Sequence, residues 1–106
     1  MEGEIIEPWY VYFFPERDKE NPAIKIGFSR DPIGRLKTLQ TGHPNKIGCE
    51  GWYLLPTQRM AREYEKELHK HFKKYRIRGE WFKYNDEIKN FIQTLLFKKN
   101  FTRYFH

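Results

Sequence analysis

The chain has 106 residues, enough for one small domain and one modest core but not for two. Lys and Arg total 20 against 14 Asp and Glu, a formal charge of +6, which favours polyanionic partners such as nucleic acid, an anionic membrane or an acidic protein. A single cysteine, Cys49, excludes an intrachain disulfide, and no apolar run is long enough to span a bilayer.

Hydrophobic residues make up 39% and aromatics 18%, so the core is expected to rest on Phe, Tyr and Trp as much as on Leu and Ile. The acidic start, Met1-Glu2-Gly3-Glu4, has no apolar run behind it and argues against a signal peptide. A soluble, intracellular protein is expected.

Trp9-Tyr10-Val11-Tyr12-Phe13-Phe14 has the chemistry of a strand. Alternation puts Tyr10, Tyr12 and Phe14 on one face and Trp9, Val11 and Phe13 on the other. Neither face is polar, so this strand is expected to be covered on both sides. A polar loop, Pro15 to Pro22, leads to a second strand, Ala23 to Phe28, paired antiparallel with the first.

Asp31-Pro32 predicts a capped helix start, with the helix running to about Gln40 and Gly42 as a left-handed C-terminal cap. Ile47 to Leu55 reads as a third strand, irregular at Gly48 and Gly51. A long helix from about Gln58 to Tyr75 carries Met60, Ala61, Tyr64, Leu68, Phe72 and Tyr75 at helical period. Trp81 to Tyr84 is a short extended piece. Asp86 is expected to cap a last helix with Ile88, Phe91, Ile92 and Leu95 on its apolar side. The order, β-β-α-β-α-α, predicts an α/β (α+β) domain with a small three-stranded antiparallel sheet flanked by helices. That one domain would fill residues 1–106, ending in a basic aromatic tail, residues 93–106.

Several short segments carry a resemblance. They are Tyr10-Val11-Tyr12, Lys25-Ile26-Gly27, Arg35 through Gly42, Glu65-Lys66-Glu67-Leu68-His69 with Phe72, and Gly79-Glu80-Trp81-Phe82. In this order and spacing, over about residues 10–92, the chain resembles the short phage- and virus-associated branch of the GIY-YIG nucleases. The second motif begins with Lys25 where most of that family has tyrosine.

The resemblance implies a metal-dependent endonuclease acting on DNA, with catalytic residues Tyr12, Lys25, Arg35 and Glu65. Tyr12 would be the general base, Arg35 the phosphate clamp and Glu65 the ligand of one Mg²⁺ or Mn²⁺ ion, weakly held without substrate. A free tyrosine has a pKa of about 10, so a cation beside the phenolate is required, and Lys25 is the expected one. Helical periodicity leaves Glu65 and Glu67 equally placed at the edges of the apolar stripe; only the resemblance selects Glu65. The family's histidine position falls on Leu39, and Asn85 is the candidate for its asparagine.

Arg30, Lys37, His69, Lys73, Arg76 and Arg78 are the expected nucleic-acid contacts, with Lys98, Lys99 and Arg103 a further basic group in the tail. His69 is expected to face solvent or a phosphate, and His43 to lie in a turn. The partner would be DNA, branched or single-stranded DNA included, with no membrane. A homodimer or a partner protein would supply specificity. Such a protein would work in the cytoplasm or, in a eukaryotic host, in the nucleus or a viral factory. Two other readings start from the same residues: a non-catalytic nucleic-acid-binding module on this fold, and a viral or phage protein-interaction factor.

Overall fold

The first two strands, β1 (Trp9–Pro15) and β2 (Ala23–Ser29), are built from aromatic and β-branched residues that suit a pleated, covered surface. They pair antiparallel with Tyr12 opposite Gly27 and Phe14 opposite Lys25. This computed structural model describes residues 6–104, with side chains as far as residue 97. α1 (Pro32–Thr41) follows β2, and β3 (Gly51–Leu55) lies against the other edge of β1, with Trp52 opposite Tyr12.

After α2 (Gln58–His71) and a 3-10 turn at Lys73–Tyr75, two three-residue strands, β4 (Arg76–Arg78) and β5 (Trp81–Lys83), form a hairpin. β5 adds to β2 with Trp81 opposite Lys25. The sheet is therefore five-stranded, in the order β3-β1-β2-β5-β4, and not three-stranded as expected. Three residues are too few for a two-residue period to be legible, and Arg76-Ile77-Arg78 is exposed along its whole length.

The sheet has a helix layer on each face. On one face Val11, Phe13, Ile24, Ile26 and Phe82 pack against Ala61 and Leu68 of α2, Phe72 just beyond its end, and Ile88 and Ile92 of α3 (Asp86–Tyr104). On the other, Tyr12, Phe14 and Ile47 are covered by Leu36 and Leu39 of α1 and by Cys49, Trp52 and Trp81. Val11, Phe13 and Phe14 are fully buried, as expected of a strand covered on both sides. Each such side chain contributes roughly 1.5–3 kcal/mol by leaving water.

The helix ends are set locally. Asp31 accepts from the Gly34 amide at 3.1 Å, with Pro32 at the first helical position. The left-handed cap expected at Gly42 does not form: its φ is −101. A tightened last turn, Gly42 N–H to Leu39 O at 3.3 Å, closes α1 instead. Gln40 then fixes the following loop, donating to Asn45 O at 2.9 Å and accepting from the Ile47 amide at 2.7 Å.

Thr57 caps α2 through the Met60 amide at 3.1 Å. α2 stops at His71, short of the expected Tyr75. The cap of α3 is Asn85, whose Oδ1 accepts from the Ile88 amide at 3.0 Å. Asp86, expected to be the cap, takes the first helical position, where with Glu87 it suits the helix dipole. The backbone of α3 continues through the expected tail as far as Tyr104. The tail side chains of Lys98, Lys99, Phe101, Arg103 and Tyr104 lie outside the described residues. Among the described residues, no helix is long and apolar enough to cross a membrane.

Candidate functional site

Cross-strand partners share a face of the sheet, so the β1–β2 register puts Tyr12, Phe14, Lys25 and Gly27 together beneath α1. The Tyr12 ring stacks on Phe14 at 4.1 Å and 11°. Its hydroxyl end leans over Gly27. A Cβ at Gly27 would stand 2.4 Å from the Tyr12 hydroxyl and 2.6 Å from its Cζ, and 2.9 Å from Glu80 Oε1.

The glycine is thus required by close approach, and the rigid, buried Tyr12 ring cannot yield. Gly27→Ala is expected to destabilise the chain by about 1–3 kcal/mol, as overpacking does. Urea unfolding measures this, and a loss below a few tenths of a kcal/mol would show that Tyr12 has room to move.

Three further elements converge on this point. From α1, the exposed Arg35 brings its guanidinium within hydrogen-bonding reach of the Tyr12 hydroxyl. From the hairpin, the turn at Gly79 (φ +56) delivers Glu80. The Glu80 carbonyl accepts from the Ile26 amide at 3.1 Å, which ties the hairpin to β2 beside Gly27. The Glu80 carboxylate meets Lys25, with Nζ to Oε1 at 3.1 Å, and the Lys25 ammonium lies 5.5 Å from the centre of the Trp81 ring.

From α2 comes Glu65. One turn further along, His69 Nε2 contacts Ile26 O at 2.7 Å, and its ring meets Phe82 edge-on at 4.9 Å. These contacts anchor α2 on β2, and Glu65, on the same helix face, is brought to Glu80, Lys25 and Tyr12. Glu65 is 7% exposed, and its Oε2 is buried with no hydrogen-bond partner. Glu67 is exposed. The choice that periodicity left open is therefore made by burial: only Glu65 turns toward Tyr12.

The electrostatics follow from this crowding. Burial first, and then the Glu80 carboxylate, push the Glu65 carboxyl up to about 7, with Lys25 opposing. Burial also raises the Tyr12 phenol. The Arg35 hydrogen bond works against that rise, while the charges of Glu80 and Glu65 add to it. The expectation that Lys25 lowers the Tyr12 phenol is corrected here. Lys25 is engaged by Glu80, the cation at the hydroxyl is Arg35, and the net direction is upward.

The other expected residues divide. Arg30 pairs with Glu7 at 2.9 Å on the surface, and Lys37 is exposed on α1. Lys73, Arg76 and Arg78 are exposed on the 3-10 turn and on β4, the outer strand of the sheet, with Arg76 Nε donating to Gly79 O at 2.9 Å. His69 is not the solvent-facing group expected, because its Nε2 is committed to the Ile26 carbonyl. Leu39 packs in the core beneath α1, and Asn85 serves as the α3 cap.

His43 does lie in a turn. Its Nε2 contacts Glu16 at 2.8 Å, and its ring stacks on Trp81 at 4.8 Å. Glu80 belongs to the site although no local sequence signal marks it. It stands in the segment Gly79-Glu80-Trp81-Phe82, but nothing local shows that this segment adds to β2.

Among the described residues no group of three or more His, Cys, Asp or Glu side chains could hold a metal ion; the orphaned Oε2 of Glu65 is the kind of oxygen that suits a hard divalent cation such as Mg²⁺ or Mn²⁺, which takes one or two carboxylates and keeps its waters. The arrangement as a whole is that of a small α/β domain with a tyrosine, a lysine, an arginine and a buried glutamate gathered around a strand glycine.

The family comparison agrees with that class: the T5orf172 domain matches residues 9–96, and the chain belongs to that family. The domain has a GIY-YIG-like fold found in phage and is associated with nuclease-like activity. Comparisons with curated proteins and with solved structures gave no match.

Proposed function

We propose that the chain is a metal-dependent endonuclease that hydrolyses DNA phosphodiester bonds, a member of the GIY-YIG superfamily's short branch with Lys25-Ile26-Gly27 as its second motif. The observation that carries this reading is the convergence of Tyr12, Arg35, Lys25 and Glu65, from two strands and two helices, on the space above Gly27.

Hydrolysis needs a base for the attacking water and positive charge for the phosphate oxygens. Arg35 supplies both kinds of help. One part of its guanidinium reaches the Tyr12 hydroxyl and favours the phenolate. Its remaining donors face solvent, where a planar fork can hold a phosphate. The Tyr12 phenol, raised by burial in the resting site, first gives its proton to solvent; as the phenolate, hydrogen-bonded to Arg35, it then takes the proton of the water as the water oxygen bonds to phosphorus. The ester P–O bond breaks, leaving a phosphomonoester on one fragment and a hydroxyl, protonated from solvent, on the other. Mg²⁺ or Mn²⁺ held by Glu65 would, when bound, cancel the carboxylate charge facing Tyr12 and stabilise charge on the phosphate and the leaving oxygen. Lys25, stacked over Trp81, keeps a second positive charge beside the same space.

Arg30, Lys37, Lys73, Arg76 and Arg78 are the proposed backbone contacts for DNA; His69 is not among them. Tyr12→Phe keeps the ring and removes the hydroxyl. It is expected to bind DNA as the wild type does, with affinity falling steeply as salt rises, and to nick at least about a hundredfold more slowly. Gel-shift and nicking assays run together measure both. A wild type that binds DNA but never nicks, with either ion, would move the reading to a non-catalytic binding module.

A further inference from the structure

A carboxylate buried with an unpartnered oxygen is an unusual thing for a fold to retain. Burying a charged group without full pairing carries a penalty of several kcal/mol. Glu65 is such a group: 7% exposed, with Oε2 lacking any partner. What faces it is a second carboxylate, Glu80. Two like charges are brought together from α2 and from the β4–β5 hairpin, with the Lys25 ammonium paired to Glu80 and opposing the rise at Glu65.

Glu80 is held there from both ends. Its backbone carbonyl is bonded to the Ile26 amide at 3.1 Å, and its Oε1 to Lys25 Nζ at 3.1 Å. It overhangs the one position on β2 that has no side chain, with Oε1 only 2.9 Å from where a Gly27 Cβ would stand. The Glu80 side chain is 39% exposed, against 11% for Lys25. So the pair opens toward solvent on the Glu80 side, where a hydrated ion can enter and keep part of its water.

Resting on the nuclease reading above, we infer that Glu80 is the second carboxylate of the divalent-cation site, acting with Glu65. Lys25 is its counter-ion, holding Glu80 in line with Glu65. Two carboxylates in place of one make a site that binds Mg²⁺ or Mn²⁺ in the absence of DNA, since affinity for hard cations follows the number of charged oxygen ligands. The arrangement also explains why the lysine sits on β2: its ammonium is drawn to the same two carboxylates.

The test is Mn²⁺ binding to the full chain without DNA, followed by calorimetry and by Mn²⁺ electron paramagnetic resonance. The wild type is expected to bind one ion in the millimolar range or tighter. Glu80→Gln and Glu65→Gln should each weaken binding by on the order of tenfold or more. Glu67→Gln, one helix face away and exposed, should bind as the wild type does, and Glu80→Asp should recover part of the affinity.

Wild-type Mn²⁺ affinity in a folded Glu80→Gln would overturn the assignment and leave Glu80 as the ion-pair partner of Lys25 alone. No detectable binding by the wild type at millimolar Mn²⁺ would overturn it as well. Plasmid nicking by the wild type is scored separately. If nicking persists while Glu80→Gln binds the ion normally, this inference fails and the nuclease reading stands.

Discussion

Glu65→Gln is expected to lose nicking while making the isolated chain more stable. The loss follows from the role proposed for the carboxylate. Without it the ion is not held, and the several kcal/mol of charge stabilisation it supplies are gone, so the rate should fall by at least about a thousandfold. The gain follows from the packing. Glu65 is buried against Glu80, and burial followed by that second carboxylate pushes its carboxyl up to about 7.

An unfolded glutamate titrates near about 4.3. Between that pH and about 7 the folded chain binds more protons than the unfolded one, so stability falls as pH rises through this window. Glutamine has the same shape, can donate to Glu80 and carries no charge. Urea unfolding in chelator should show the variant more stable by about 1–3 kcal/mol at pH 8 and level with the wild type at acidic pH. A variant less stable than the wild type at pH 8 would mean that Glu65 is structurally satisfied, and that its burial is not a burden carried for function.

Glu16 makes the opposite case, a buried carboxylate fully supplied with partners. It is 6% exposed. Oε1 accepts from the Ala23 amide at 2.9 Å and meets Lys19 Nζ at 3.4 Å; Oε2 meets His43 Nε2 at 2.8 Å and Asn45 Nδ2 at 3.1 Å. Burial alone would raise this carboxyl. The Ala23 amide, His43, Asn45 and then Lys19 outweigh it and hold the group at about 2.

The folded value lies below the unfolded one, so the stabilisation is present above about pH 4.3 and is lost as pH falls toward 2. Glu16→Ala should reduce stability at pH 7 by about 3–5 kcal/mol, the loss expected on breaking a buried ionic network. The difference from the wild type should shrink as the pH approaches 3. A variant within about 1 kcal/mol of the wild type at pH 7 would contradict this. The consequence reaches the site. Glu16 holds His43, His43 stacks on Trp81, and Trp81 underlies Lys25.

How much was legible in the chain depended on the range of the signal. Trp9 to Phe14 and Ala23 to Phe28 read correctly as strands because six residues are enough for alternation to speak. Asp31-Pro32 read correctly as a helix start because capping is a local matter. Trp81 to Lys83 read correctly as extended, but its pairing with β2 did not, because that pairing is a non-local event, and β4 did not read as a strand because Arg76-Ile77-Arg78 is exposed along its whole length. The cap of α3 was misplaced by one residue because Asn85 and Asp86 are both good caps, and only geometry separates them.

At the site, the resemblance alone supplied the four expected residues. It could not supply their partners. Lys25 was assigned to Tyr12 because the two strands pair, but Phe14, not Tyr12, stands opposite Lys25, and Glu80 comes from a hairpin more than fifty residues away. The choice between Glu65 and Glu67 needed the third dimension, because both lie at the edge of the same helical stripe and only one is covered.

If this cluster cuts phosphodiester bonds with the help of a divalent ion, as proposed, both the ion and Glu65 are needed for cleavage. Supercoiled plasmid incubated with the wild type and with Glu65→Gln, in Mg²⁺, in Mn²⁺ and in chelator, tests it most directly. Conversion to nicked circles is expected of the wild type with an ion, none in chelator, and none by Glu65→Gln under any condition. Nicking that persists equally in chelator, or in Glu65→Gln with either ion, would contradict it.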